Sequence, residues 1–201
     1  NTAPPAPLGI TGFDVGIETA LVDIRTGSDN HWEKAYAGNA PGTLFMPRLR
    51  ARKGLPLGID IGAMYAYVPD SNIRLYGVEL GYALLEGRAA VPAVGVRGTY
   101  TKLSGVDDLA YQTLGVDIAV SKGVLLLTPY AGTGMIYARS EAKGELQRLA
   151  TEAGAPLRKE TLWQPRYFAG CVITAIPLLA LTAEVEYAKR PVYSLKLSIA
   201  F

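Results

Sequence analysis

The residues with the clearest chemical potential are a histidine beside an acid and, farther along the chain, a pair of acids. Asp29, Asn30 and His31 follow one another, and Asp107 is followed directly by Asp108. A carboxylate next to an imidazole can orient it as a general base, and acidic partners can help to activate a water molecule. These residues are therefore the candidates for a hydrolytic site.

A simpler interpretation accounts for the same residues. His31 is the only histidine in the chain, and Asp and Asn are common in loops because they form turns. The single cysteine, Cys171, can form no internal disulfide and has no His or Cys nearby with which to hold zinc. We therefore expect a protein that is not an enzyme and that has no metal or cofactor.

The overall composition describes one domain of ordinary size over residues 1–201. The chain is 49% hydrophobic and 19% charged, with a formal net charge of +2. Lys and Arg are spread along it and no nucleic-acid-reading motif occurs, so a nucleic-acid partner is not expected. The longest uncharged run, residues 167–183, is interrupted by Pro177 and is shorter than the ~20 residues of a membrane-spanning helix.

Apolar and polar residues alternate along nearly the whole chain, which is typical of strands whose two faces meet different environments. In residues 12–21, for example, Phe13, Val15, Ile17 and Leu21 alternate with small or charged residues, and nine further segments show the same pattern. Each has about the 9 to 11 residues of a tilted transmembrane strand. The sequence predicts an all-β fold: a closed, antiparallel, up-and-down transmembrane β-barrel of ten strands, with eight strands as the alternative.

The links between these segments are predicted to alternate in length. Short turns are expected near residues 54–56, 86–88, 122–123 and 176–177, and longer links at 25–42, 68–72, 104–108 and 139–162. Short periplasmic turns and longer outer loops would produce this asymmetry, with the short link 189–191 as the exception. Residues 25–42 and 139–162 are therefore expected outside the cell, and Cys171 against lipid.

The non-lipid face of the predicted strands is half glycine and half charged. The residues predicted to form a lumen charge network are Asp14, Glu18, Arg48, Arg50, Asp60, Glu79, Arg97, Asp117, Arg166, Glu184 and Lys196, and Arg52 and Glu186 share their face. Counting back from each tight turn places Arg50 opposite Asp60, Glu79 opposite Arg97 and Glu184 opposite Lys196, with a slip of two residues allowed. A lumen crowded by such pairs should conduct little.

Alternation alone does not distinguish a membrane barrel from a soluble ligand-binding barrel. The aromatic residues do, because in the predicted topology they share one height, as in the girdle at a membrane interface. The predicted outer girdle is Phe45, Tyr67, Tyr76, Tyr100, Tyr137, Tyr167, Tyr187 and Tyr193. Phe13, Tyr82 and Phe201 would form a sparser inner girdle.

Two segments carry a family resemblance. Residues 193–201 (YSLKLSIAF) alternate and end in an aromatic residue, and residues 127–134 (LTPYAGTG) are similar to a strand motif common in small bacterial outer-membrane barrels. With its overall alternation, the chain resembles the OmpA, OmpX and OmpW kind, whose members usually have eight strands. The resemblance implies an integral protein of the outer membrane in a Gram-negative-type cell envelope. It also implies that the last strand, ending at Phe201, is read by the barrel-assembly machinery.

Several functions are compatible with this resemblance. We expect a structural or surface-interaction role through the outer loops, with an unknown extracellular ligand. A narrow channel for small or apolar solutes, as some OmpW-like relatives are thought to be, is the alternative. The ten-stranded omptin proteases also combine an Asp/His pair with acidic partners, but the pieces occur here in the opposite order and with different spacing.

The link 139–162 combines basic residues with a short helical pattern over 141–151. Besides membrane lipid, lipopolysaccharide is a candidate partner, since basic side chains can meet its phosphates. These side chains are Arg139, Lys143, Arg148, Arg158 and Lys159, and Glu141, Glu145, Glu152 and Glu160 offset their charge.

Overall fold

A computed structural model describes residues 3–23, 43–69, 72–87, 91–106, 108–144, 147–148, 152 and 159–201. These residues are almost entirely strand. The ten strands are β1 (Phe13–Asp23), β2 (Thr43–Gly54), β3 (Ile59–Tyr67), β4 (Arg74–Leu85), β5 (Ala93–Ser104), β6 (Leu109–Ser121), β7 (Leu127–Ala142), β8 (Glu160–Ile176), β9 (Leu179–Ala188) and β10 (Arg190–Ala200). No helix within the described ranges is long and apolar enough to cross a bilayer.

The strands form one closed barrel, as predicted. Each strand pairs antiparallel with the next along the chain, and β10 pairs with β1. At the seam, the Phe13 amide donates to the Phe201 carbonyl at 2.8 Å, and the Phe201 amide donates to the Phe13 carbonyl at 3.0 Å. The rings of these two residues also meet edge to face, with centroids 4.0 Å apart. Ten strands are confirmed, and the eight-stranded alternative is wrong.

The barrel is apolar outside and polar inside. On β10, Leu195 and Leu197 are each 52% exposed on the outer face, whereas Lys196 and Ser198 between and beside them are 1% and 3% exposed in the lumen. A soluble barrel buries its apolar face, because exposing it to water is unfavourable. The observed arrangement is that of an outer-membrane-type barrel surrounded by lipid, which excludes the soluble alternative.

The links between strands depart from the predicted alternation of lengths. At the outer end, only residues 24–42 and 143–159 form long links, because 68–73 and 105–108 are short and Lys189 alone joins β9 to β10. At the inner end, residues 86–92 form a link longer than 105–108. The length asymmetry is therefore confined to two outer connections.

The hairpin of β7 and β8 is longer than the sequence predicts. Its strands have 16 and 17 residues. β7 stays paired with β6 up to Ala142, opposite Leu109, so Glu141 and Ala142 are strand rather than helix. β8 begins at Glu160 and extends past the end of β9, with which it first pairs at Tyr167. Of the rest of the predicted helix, Gly144, Gln147 and Arg148 are helical and Lys143 is not, and residues 145–146 and 149–151 lie outside the described residues. The extension could not be predicted from the sequence, because the pattern of residues 139–142 is polar on both faces.

Candidate functional site

The eight aromatic residues predicted as an outer girdle lie on the outward face of the barrel and at similar heights. Leu21 on β1 pairs with Phe45 on β2 and with Tyr193 on β10, so the two aromatic residues lie in the same row, one on each side of Leu21. Leu114 likewise lies between Tyr100 and Tyr137. Tyr167 is opposite Tyr187, and Tyr76 is opposite Tyr65, two residues before Tyr67.

The girdle has a further member that the sequence analysis did not include. Trp163 on β8 is opposite Tyr137, and the two rings lie 5.0 Å apart. It was missed because β8 was predicted to begin after residue 162 and its outward set only at Tyr167. The indole and phenol rings together mark the height at which the barrel leaves the hydrocarbon.

All eleven residues predicted for the lumen charge network point inward. Ten of them are buried, and Arg48, nearest the outer end, is partly exposed. Arg52, on the same face of β2, is also buried and makes two ion pairs. The barrel interior therefore holds a dense layer of charge at mid-height.

The predicted cross-strand neighbours are displaced: two of the three by the two residues that the prediction allowed, and Arg50 by four, so that the Arg50–Asp60 pairing is wrong. Arg50 is opposite Met64, four residues from Asp60. Glu79 is opposite Thr99 rather than Arg97, and Glu184 is opposite Ser194 rather than Lys196. The displacement arises at the turns. The hairpins joined by residues 55–58, 86–92 and 189 are centred on different residues from those that the prediction assumed, so the pairs counted from each turn shift with it.

Oppositely charged side chains meet instead across a glycine on the strand between them. Gly62 lies between Arg52 and Glu79 in one row, and Arg52 Nε is 3.1 Å from Glu79 Oε1. Gly134 lies in the same way between Asp117 and Arg166. The Arg166 guanidinium makes a bidentate contact with Asp117, including an Nε to Oδ1 bond of 2.7 Å. The residue on the middle strand must be a glycine, because a side chain there would occupy the space in which the two charged side chains meet.

The charged contacts form a ladder on one side of the lumen and separate pairs on the other. In the ladder, Arg48 and Arg50 approach Glu18 at 3.2 and 3.8 Å, Arg50 approaches Glu79 at 3.5 Å, and Arg52 approaches Asp60 at 2.9 Å. Elsewhere, Lys196 donates to Asp14 at 2.5 Å across the seam, and Arg166 also lies 3.6 Å from Glu186. These ion pairs join β1 to β2, β2 to β3 and β4, β6 to β8, β8 to β9, and β10 to β1 across the seam.

Two aromatic side chains complete the filling of the lumen. Tyr130 on β7 lies over Gly170 on β8, and Phe168 on β8 lies over Gly132 on β7. The Tyr130 hydroxyl donates to Glu184 at 2.8 Å. Sequence analysis overlooked both rings, although their even numbers place them on the inward face. The inward glycines therefore accommodate side chains rather than widening the bore.

We predict that Gly134→Ala weakens the barrel by about 1 to 3 kcal/mol, as overpacking does. A Cβ at this position would collide with the Asp117 carboxylate and the Val116 carbonyl. Gly98→Ala is the control, because a Cβ there meets no atom within 4 Å. Urea titration of the two variants in detergent measures the difference, and equal midpoints would contradict the close packing across Gly134.

The segment of residues 3–8, which precedes β1, enters the lumen from the inner end. Ala3 is 1% exposed, and its carbonyl accepts a hydrogen bond from Arg97 Nη2 at 3.1 Å. The same nitrogen approaches the Pro4 carbonyl at 3.4 Å, and the Leu8 amide donates to Asp60 Oδ1 at 3.2 Å. We call residues 3–8 the inner segment. It occupies the lumen beneath the charged layer.

The chain passes from the inner segment to β1 over the rim of β2. Lys53 Nζ donates to the Ile10 carbonyl at 2.6 Å, and the Gly54 amide donates to the Gly12 carbonyl at 3.0 Å. A Cβ at Gly12 or Gly54 would collide with the backbone of Leu8 or Gly9. Beside the inner segment remains a cavity of about 20 Å³, which is room for about one water molecule.

At the outer end, the lumen opens into a vestibule of about 760 Å³. Ile136, Ala138, Leu162 and Tyr111 give it an apolar wall, and Gln164, Ser140, Glu160 and Lys189 add polar groups. Gln164 and Ile136 lie one inward position above Arg166 and Gly134, so the Arg166–Asp117 pair forms its floor. The vestibule therefore lies on the outer side of the charged layer.

The residues first considered for catalysis are not assembled in the described part of the chain. Asp29, Asn30, His31 and Asp107 lie outside the described residues. Within the described ranges, no three His, Cys, Asp or Glu side chains are grouped so as to hold a metal ion. Cys171 lies on the outward face of β8, opposite Pro129 and Ala183.

No protein-family model and no curated protein matches this sequence. Solved structures with a similar fold include Pseudomonas aeruginosa outer membrane protein OprG, with a TM-score of 0.48 and 11% identity over 99% of each chain. The KdgM porin has a TM-score of 0.45 and 9% identity, over 94% of this chain and 99% of the porin. Yersinia pestis outer membrane protein Ail in a phospholipid nanodisc has a TM-score of 0.42 and 12% identity, over 95% and 99%. Identities this low concern the fold alone.

Proposed function

We propose that this chain is an integral, non-conducting β-barrel of the bacterial outer membrane that acts as a structural and surface-interaction protein. The closed lumen carries this proposal. The ion-pair ladder, the Arg166–Asp117 pair and the inner segment fill the bore in successive layers. A solute crossing the barrel would have to displace buried, paired charges, and that is energetically costly.

The outer vestibule supports the surface-interaction part of the proposal. It offers an apolar wall and a polar rim to the outside and ends at a charged floor. Concave sites that bind ligands commonly combine an apolar lining with a few polar groups. An extracellular ligand bound here would stay on the outer side of the membrane.

We predict little or no steady conductance from the purified protein in planar bilayers. The reason is that side chains nearly fill the interior of a narrow barrel, and an ion crossing this one would have to displace buried, paired charges. Single-channel recording measures this, with heat-modifiable gel migration as a check that the inserted barrel is folded. Large, stable, ion-selective steps would reject the proposal in favour of a narrow channel for small or apolar solutes.

We also propose that the barrel is not an enzyme. His31→Ala is then expected to leave stability and any surface activity of the protein unchanged, because turn-rich links tolerate such substitutions. Peptidase activity that is present in the unmodified barrel and lost in this variant would instead support an omptin-like protease.

Lipopolysaccharide and the barrel-assembly machinery are the proposed envelope partners. Lys102, Arg139 and Lys143 line a cleft of about 210 Å³ next to Gln112, whose side chain accepts a bond from the girdle residue Tyr100 at 3.1 Å. Cations just above the girdle suit lipid phosphates. Lipopolysaccharide titration of an Arg139→Glu variant tests this contact, and unchanged binding would contradict it.

The seam contact of Phe201 with Phe13 supports the terminal strand as the assembly signal, and removing Phe201 should lower the yield of folded barrel.

A further inference from the structure

The inner segment is held mainly through its backbone. Arg97 donates to two successive carbonyls, those of Ala3 and Pro4, and Asp60 accepts the amide of Leu8. Asp60 is in turn held by Arg52 at 2.9 Å. Charged side chains of the barrel wall thus bind backbone groups near both ends of the inner segment.

The composition of the inner segment suits an irregular, partly buried stretch of chain that lies against the lumen wall. Residues 3–8 read APPAPL, and the three prolines have no backbone N–H group that would need a partner inside the lumen. Proline also restricts the free chain, so that less conformational entropy is lost when the segment is ordered. Of the amides that remain, that of Leu8 finds its acceptor in Asp60.

The barrel wall leaves space for the inner segment where it passes. A Cβ on Gly95 would lie 3.0 Å from the Pro5 carbonyl oxygen and 3.2 Å from its Cβ, closer than ordinary contacts. Gly12 and Gly54 do the same where the chain crosses the rim. A cavity of about 20 Å³ remains between the inner segment and the wall.

We propose that the inner mouth of the barrel is a binding site for a short, proline-rich peptide segment, and that residues 3–8 occupy it as a detachable plug. Arg97 and Asp60 are the recognition residues for the peptide backbone. This site goes beyond the proposed surface role, because it faces the opposite side of the membrane and does not involve the outer loops.

A nicked barrel tests whether the occupant is a separable ligand. A specific protease site is inserted between Ile10 and Thr11, both exposed, and the folded full-length barrel is cleaved there. We expect the released fragment to co-elute with the barrel and, after it has been washed out, a labelled peptide of residues 1–10 to rebind. A nicked barrel that still shows the folded gel migration but does not rebind the peptide would overturn the proposal.

Two changes test the recognition chemistry. Methylation of the Leu8 nitrogen in the peptide removes only the donor to Asp60, and Arg97→Ala removes the donor to the carbonyls of Ala3 and Pro4. Each is expected to weaken rebinding about tenfold or more, as loss of a hydrogen bond to a charged group does. Arg74→Ala, at an exposed position on β4, is the matched control. Equal affinity for all variants would overturn the assignment of Arg97 and Asp60.

The intact chain provides an independent measurement that does not require the nick. In a Cys171→Ala background, Ala3→Cys should react with a polar maleimide at least about tenfold more slowly than Thr11→Cys, since exchange requires the segment to open. Adding Arg97→Ala should accelerate labelling of Cys at position 3 alone. Equal rates at the two positions would show an unoccupied inner mouth and overturn the proposal. Conductance of the unmodified barrel tests the proposed function separately, because the ion-pair ladder and the Arg166–Asp117 pair remain in the lumen whether or not the inner mouth is occupied.

Discussion

Lys196→Met is expected to lower the free energy of unfolding by about 3 to 5 kcal/mol, because it leaves the carboxylate of Asp14 buried without its cation. Lys196 is one of the most buried side chains of the barrel, and its Nζ lies 2.5 Å from Asp14 Oδ2 across the seam between β10 and β1. Urea unfolding in detergent, followed by the gel migration of unheated samples, measures the loss.

Ser198→Ala is the matched control for this prediction. Ser198 lies two residues along the same strand on the same face and is buried, but its hydroxyl has no hydrogen-bond partner. Removing it should change stability by no more than about 0.5 kcal/mol. Adding Asp14→Asn to Lys196→Met should recover most of the loss, since no charge is then left unpaired. A Lys196→Met loss below about 1 kcal/mol would mean that lumenal water reaches the pair.

Arg166→Ala is expected to have an effect of similar size, about 3 to 5 kcal/mol, for a different geometric reason. Arg166 and Asp117 lie on strands that are not neighbours, and their bidentate contact crosses Gly134 to join β6 to β8. Losing it leaves Asp117 buried and removes the floor of the outer vestibule.

Arg166→Lys separates charge from geometry in this pair. Lysine keeps the positive charge but cannot form the two parallel bonds of a guanidinium, so an intermediate loss is expected. Arg74→Ala, which removes an exposed arginine from the outer end of β4, should be nearly neutral. Chemical unfolding of the three variants side by side gives the comparison. If Arg166→Lys were as destabilising as Arg166→Ala, charge would contribute little to the pair.

Much of the architecture could be predicted from the sequence alone. The two-residue period assigned each side chain to lipid or lumen, because adjacent residues of a strand must point to opposite faces. The ten strands, the inward direction of the charged residues and the outward direction of the aromatic girdle all follow from this parity. The face on which a side chain lies does not depend on which residues pair across strands. It is therefore predicted correctly even when the predicted pairing is wrong by two or four residues.

Partner choice in the lumen could not be predicted in this way. Arg50 was placed opposite Asp60 by counting from the turn, but the pairs that form depend on how each turn closes and on which inward positions are glycine. Asp117 and Arg166 meet only because Gly134 on the strand between them has no side chain. The local sequence around Asp117 or Arg166 does not indicate this contact, since the two residues are 49 positions apart.

What the sequence by itself determined is the alternation of faces and, from it, a ten-stranded membrane barrel with a charged interior. The tertiary structure alone decided which charges pair, where Tyr130 and Phe168 lie, and that residues 3–8 fill the inner mouth. The physical reason is the distance along the chain between the residues that determine each feature. Parity is set by the geometry of adjacent residues, whereas closure of the barrel brings together strands and a terminal segment whose contacts are distant along the chain, such as Arg97 with Ala3.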